Sequence, residues 1–194
     1  MSSTRRLLLS LAVLAVVAGA ACGDPPDKEM QQAQGAIDAA RAAGADQYAR
    51  DEFTAAEDAL KRSNDAVAQR DYRQALNQAL DARERAQTAA KESVNRKAIA
   101  RADATKAIAE ADAALHDSRA KLKTAEASRV SARTVANGRK AIDAGESAVQ
   151  EARTAFGKED YLGTIDLAHG VSAQLGPATR DLDAAVATGG RRRH

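Results

Sequence analysis

The chain is poor in everything a β domain or a redox centre requires. Among 194 residues there are two Phe, three Tyr and no Trp. A β fold needs many more aromatic and β-branched side chains. Cysteine occurs once, at Cys22, so no disulfide can close within the chain. Proline occurs three times, two of them adjacent at Pro25 and Pro26. No Gly-rich phosphate loop, Gly-x-Ser-x-Gly turn or Cys-His pair is present, which removes the usual nucleotide and nucleophile signatures.

What remains is a helix former. Alanine fills 49 positions, and Glu, Lys, Arg, Gln and Leu supply much of the rest. The N-terminus stands apart. Arg5 and Arg6 precede an apolar run from Leu7 to Ala21, broken only by Ser10 and Gly19. A charged start, a short apolar run and small residues at its end form a secretory signal pattern, and a run of about 15 residues is too short to span a bilayer. Removing residues 1–21 removes two arginines and no acids, leaving 27 basic and 27 acidic side chains. The mature chain is formally neutral, so nucleic-acid binding loses its electrostatic support.

Gly19-Ala20-Ala21-Cys22 resembles the lipobox of bacterial lipoproteins, the recognition sequence for cleavage before a cysteine that carries diacylglycerol. Ala20, Ala21 and Cys22 fit the motif, while Gly19 stands where a larger apolar residue is usual. The resemblance implies lipidation at Cys22 and anchoring by two or three acyl chains, where one alone gives only marginal binding. Gly23, not aspartate, follows the cysteine. By the same resemblance this leans toward an outer membrane facing the periplasm, the alternative being the outer face of the cytoplasmic membrane. The tether is 22–27.

Apolar spacings of three and four predict a helical domain over 28–188. Asp24 is expected to cap a first helix of 26–43 with Pro25 at its first position, and Gly44 to end it. A second helix is expected over 48–69. Asp71 is the N-cap of a third that opens with Tyr72, and Gln74 completes a capping box. No Pro or Gly interrupts 83–127, yet a bend or break is expected near Asn95. Ile108, Ala111, Leu115, Ser118 and Leu122 make a seam suited to a partner helix. A helix over 129–157 carries Val135, Ile142, Val149 and Phe156 at strict seven-residue spacing. The last helix, from Asp160 toward Val186, is expected to bend or fray at Gly163, Gly170 and Gly176-Pro177. Residues 189–194 read as a disordered basic tail. The fold class is all-α: elongated antiparallel helical hairpins in a coiled-coil-like bundle of about five or six helices.

Residues 50–86 resemble residues 139–175 at an offset of 89. Phe53 matches Ile142, Leu60 matches Val149, Val67 matches Phe156, and Asp71-Tyr72 matches Asp160-Tyr161. Each copy is a helical hairpin, about 48–90 and 131–186, with a turn capped by Asp. The run Ala42-Ala43-Gly44-Ala45-Asp46-Gln47-Tyr48-Ala49, the Ala55 to Leu60 segment and Asp71-Tyr72 resemble a bacterial envelope family of small helical lipoproteins. These carry a domain of unknown function, and some are joined to outer-membrane-protein-A-like modules. The resemblance covers 28–90; proline is common there after Tyr-Ala, where this chain has Arg50. It brings no catalytic residues.

His116, His169 and His194 lack the convergent ligands a metal site needs; Asp166-x-x-His169 has a useful spacing but no twin. The expectation is therefore a membrane-anchored envelope protein with a structural or protein-interaction role. It would not be an enzyme. It would have no cofactor beyond the lipid on Cys22, no metal, no nucleic acid and no small-molecule substrate. Its partners would be the membrane and either another protein or a second copy. The alternative is a periplasmic chaperone-like or ligand-binding helical protein.

Overall fold

The computed structural model describes residues 24–191. Among them are six helices and no strand: α1 Asp27–Ala42, α2 Ala45–Tyr48, α3 Arg50–Ala68, α4 Tyr72–Ala127, α5 Ala132–Gly157 and α6 Tyr161–Arg191. The fold is all-α. Contacts divide the chain into two compact units, the first ending at Arg96 and the second running from Lys97. Helix α4 contributes to both.

The first unit packs α1, α2 and α3 with the opening turns of α4, and its core is nearly all alanine. Ala40, Ala45, Ala49, Ala56, Ala86 and Ala89 surround Ile37 and Phe53, and a smaller cluster joins Ala33, Ala59 and Ala82. Helix α1 starts at Asp27, not at Pro25. Pro26 is its N-cap residue, no side chain caps it, and the Pro26 carbonyl accepts from Met30 N–H at 3.0 Å. The reason is steric: a residue before proline is pushed out of the helical region, so Pro25 cannot open the helix. Gly44 ends it in the left-handed region (φ 83°), where a side chain would be strained. The helix expected over 48–69 is α3, Arg50–Ala68; Tyr48 belongs to the short α2 before it, from which Ala49 (φ −139°) divides it.

No break occurs near Asn95: α4 runs unbroken for 56 residues. Two polar side chains in this region are used locally. Ser93 is buried and donates to the Ala43 carbonyl at 2.5 Å, and Arg96 donates to the Tyr48 carbonyl at 3.2 Å. Packing of this kind outweighs the modest intrinsic preferences of Ser, Val and Asn.

In the second unit, α5 and α6 pack on the later part of α4, so the seam from Ile108 to Leu122 is covered within the chain. The helices interlock by size. A Cβ added at Gly145 would stand 3.0 Å from Leu115 Cδ2 and 3.4 Å from Leu175 Cδ2. One added at Gly138 would stand 3.1 Å from Leu182 Cδ1 and 3.2 Å from Leu122 Cδ1. Helix α5 thus offers glycine where α4 and α6 offer leucine. In the same antiparallel register, its Ile142 and Val149 stand level with Ser118 and Ala111. Alternation of large and small residues across facing positions is how a core fills without voids. Helix α6 continues past Gly163, Gly170 and Pro177 to Arg191, where fraying was expected. Buried Val171, Leu175 and Leu182 hold it, and Thr179 Oγ1 lies 3.1 Å from the Leu175 carbonyl beside the proline.

The two units share one architecture, and the repeat is wider than the hairpin. At the offset of 89, buried Ala56, Ala79, Ala82, Ala86 and Ser93 answer buried Gly145, Ala168, Val171, Leu175 and Leu182. The first helix follows at an offset of 85: Ala33, Ile37 and Ala40 answer Ser118, Leu122 and Ala125. The shift of four residues falls at the first turn of each unit, where Gly44 and Arg129 both have positive φ (83° and 56°).

Candidate functional site

Two groups of residues were singled out by sequence: the cleavage and lipidation segment, and the paired Asp-Tyr turns. Gly19, Ala20, Ala21 and Cys22 lie outside the described residues, as do Arg192, Arg193 and His194. Between Cys22 and the start of α1 at Asp27 stand only Gly23, Asp24, Pro25 and Pro26.

The turns are built alike. After α3, Arg70 takes φ 60°; its N–H donates to the Val67 carbonyl (2.9 Å) and that of Asp71 to the Ala66 carbonyl (2.9 Å). After α5, Glu159 takes φ 62°, and the N–H groups of Glu159 and Asp160 donate to Phe156 and Ala155 (both 3.0 Å). This crossed pair is a Schellman motif, which satisfies carbonyls that the helix end would otherwise leave open. The aspartate then caps the next helix. Asp71 Oδ1 accepts from Gln74 N–H at 2.9 Å, and Asp160 Oδ1 from Gly163 N–H at 3.0 Å. Each αL residue here carries a side chain, at a cost of about 1–2 kcal/mol. Arg70→Gly is therefore expected to raise the stability of the first unit by up to about 1 kcal/mol, read from urea unfolding, after the added freedom of glycine in the unfolded chain is discounted.

Beyond each turn, a hydroxyl ties the two helices together, but from opposite sides. Buried Ser63 on α3 donates to the Ala75 carbonyl of α4 at 2.8 Å. At the equivalent positions the hydroxyl belongs to α6: Thr164 Oγ1 lies 3.4 Å from the Ala152 carbonyl and 2.6 Å from that of Asp160. Tyr161 is buried and meets Phe156 edge-on at 5.3 Å, whereas Tyr72 is half-buried. Tyr161 thus packs against the helix before its turn.

Lys97 donates to Glu159 Oε2 at 2.7 Å, and that bond holds the Glu159 carboxyl below the usual carboxylate range. A depressed folded value means stability that is present above the ordinary value and lost as pH falls through the folded one. Glu159→Gln is thus expected to lower the second unit's stability at pH 7, with the deficit shrinking as pH falls below the ordinary carboxylate range; urea titrations at neutral and acid pH check it.

The charged residues of the second unit form a ladder that sequence reading missed. Asp112 pairs with Arg153 (2.8 Å), Arg119 with Glu146 (2.6 Å) and Glu126 with Arg139 (2.6 Å). The rungs advance by seven on α4 and retreat by seven on α5. Between them runs an open groove of about 700 Å³ that includes His116, Asp143, Ser147 and Gln150. Of the groove's three acids, Asp112 and Glu146 are held by arginines, and Asp143 has no salt bridge among the described residues. Among the described residues no group of three or more His, Cys, Asp or Glu is placed to hold a metal ion. His169 is exposed on α6.

No curated protein and no solved structure matches the chain. Residues 28–105, which take in α1 from its second residue, all of α2 and α3 and the first part of α4, match the family model of a domain of unknown function (DUF4398).

Proposed function

We propose that this chain is an exported lipoprotein of the bacterial envelope, held at a membrane by acyl chains on Cys22, whose helical units serve a non-catalytic structural or protein-interaction role. The observation that carries it is the position of Cys22. The only cysteine follows Gly19-Ala20-Ala21 where an apolar run ends, and the first helix opens at Asp27. Among the described residues no helix is long and apolar enough to cross a membrane, so in this reading the anchor is the lipid. The non-catalytic part is supported by the groove in the second unit, where two of the three acids, Asp112 and Glu146, are held by arginines. An engaged carboxylate is poorly placed for acid–base work. The interaction part is supported by the alanine core of the first unit, since alanine buries little area and each Å² contributes only about 25 cal/mol.

The test is mass spectrometry of the N-terminal peptide from protein made in a bacterial host. A peptide that begins at Cys22 and carries a thioether-linked diacylglycerol is expected. A free thiol, or a peptide that begins elsewhere, rejects the anchor.

A further inference from the structure

The second unit carries its charge in two halves. Segments 120–140 and 176–191 hold eight Lys and Arg against three acids, whereas the remainder of 97–191 holds six against ten. These segments meet at one end. The turn between α4 and α5 joins the first to itself, and Leu182 against Gly138 brings the last turns of α6 alongside.

The halves also differ in pairing. In the acidic half, Arg119, Arg153, Lys97 and Lys106 each hold a carboxylate. In the basic half, Lys121 and Arg139 do so, but Lys123, Arg129, Arg133, Lys140 and Arg180 are exposed and have no carboxylate within 4.0 Å among the described residues. Arg192 and Arg193 follow in the sequence.

We propose that this basic end of the second unit docks on an anionic phospholipid surface. The five cations come from three helices and a turn, and none of them lines a groove described among these residues. A groove at this end is lined by Thr134, Asn137, Asp181 and small residues, and includes none of the five. A dispersed array of this kind reads a field of repeated negative groups, not a single ligand. No aromatic residue occurs in either segment, so there is no platform on which unpaired bases could stack. The choice of a bilayer over a nucleic-acid duplex rests on the reading of Cys22 as an export anchor, which places the chain beside lipid.

The test uses the chain from Gly23 to His194, which holds every described helix and carries no lipid, so its outcome is independent of what happens at Cys22. Co-sedimentation with vesicles of phosphatidylcholine, alone and mixed with phosphatidylglycerol, is measured at low and physiological salt. Binding confined to the mixed vesicles and weakened by salt is expected. A variant with Lys123→Gln, Arg129→Gln, Arg133→Gln and Lys140→Gln is expected to lose at least about 100-fold in partition, since each basic residue near such a surface is worth about fivefold. A control with Arg101→Gln, Lys106→Gln and Lys158→Gln in the acidic half is expected to bind as the parent does. Circular dichroism checks that both stay helical. Equal binding to phosphatidylcholine alone, equal losses in the two variants, or tighter binding to a DNA duplex than to the mixed vesicles would overturn the proposal. The first and last of these are read on the unsubstituted chain and need no variant to fold.

Discussion

Leu175→Ala is expected to destabilise the second unit by about 3–5 kcal/mol, the upper part of the range for truncating a buried leucine. The cost depends on whether neighbours can collapse into the space. Leu175 is 2 % exposed and lies over Gly145, a residue with no side chain to move. Leu115 approaches the same glycine, so part of the vacated volume borders backbone that offers no side chain to fill it. The cavity should therefore persist. Urea unfolding followed by circular dichroism gives the loss, read on the transition that Leu182→Ala also shifts. A cost below about 1 kcal/mol would show that the layers are not packed as described. Gly145→Ala supplies a second, sharper reading. Alone it should be close to neutral, because about 1 kcal/mol of helix propensity is set against a 3.0 Å approach to Leu115 Cδ2. Combined with Leu175→Ala it should recover part of the loss, since its methyl enters the space the leucine left. Two such substitutions in contact are expected to be non-additive.

The second large effect concerns location. Cys22→Ser, made with residues 1–21 replaced by an export signal whose cleavage needs no lipidated cysteine, is expected to move the protein from the membrane fraction to the soluble fraction almost completely. Each buried methylene contributes about 0.8 kcal/mol, so two or three acyl chains hold a protein in effect permanently and the loss of all of them leaves nothing comparable. Any residual membrane association of the variant should be the charge-driven kind and should wash off with salt. The measurement is fractionation of cells carrying either form, with a sodium carbonate wash. Identical partition of the two forms would remove the anchor from the account and leave a helical chain whose place in the cell is open.

Much of this fold can be read from periodicity, because an apolar residue every three or four positions lines one side of a helix and suits no strand. The seven-residue spacing of Val135, Ile142, Val149 and Phe156 marks α5, and the Asp71-Tyr72 and Asp160-Tyr161 pairs mark two of the turns. The features that a linear pattern hides have a common cause: they depend on partners distant in sequence. Gly138 and Gly145 look like weak points in a helix until Leu122, Leu115, Leu182 and Leu175 are seen to need the room. Ser93, Val94 and Asn95 look like a place to stop, yet the Ser93 hydroxyl has an acceptor at Ala43, fifty residues earlier. The first helix of each repeat hides from a fixed-offset comparison because the turns at Gly44 and Arg129 differ in position by four residues. The basic end of the second unit is invisible in a net charge of +2, since it is assembled from two segments separated by the length of a hairpin. The residues around Cys22 are the reverse case. Their meaning lies in a short linear pattern, and it owes nothing to the fold.

The ladder of charges between α4 and α5 has a role beyond any small attraction its exposed members supply. Apolar heptads tolerate sliding, because a helix moved along its neighbour by seven residues still meets leucine with glycine. The signs on the rungs do not. Shifted one way, Asp112 would face Glu146 and Arg119 would face Arg139. Shifted the other way, Arg119 would face Arg153 and Glu126 would face Glu146. Every such misalignment sets like against like, so the alternation disfavours each neighbouring alignment and leaves one. In a core this rich in alanine and glycine, shape alone discriminates weakly, and it is the pattern of repulsion in the wrong arrangements that makes the hairpin single-valued.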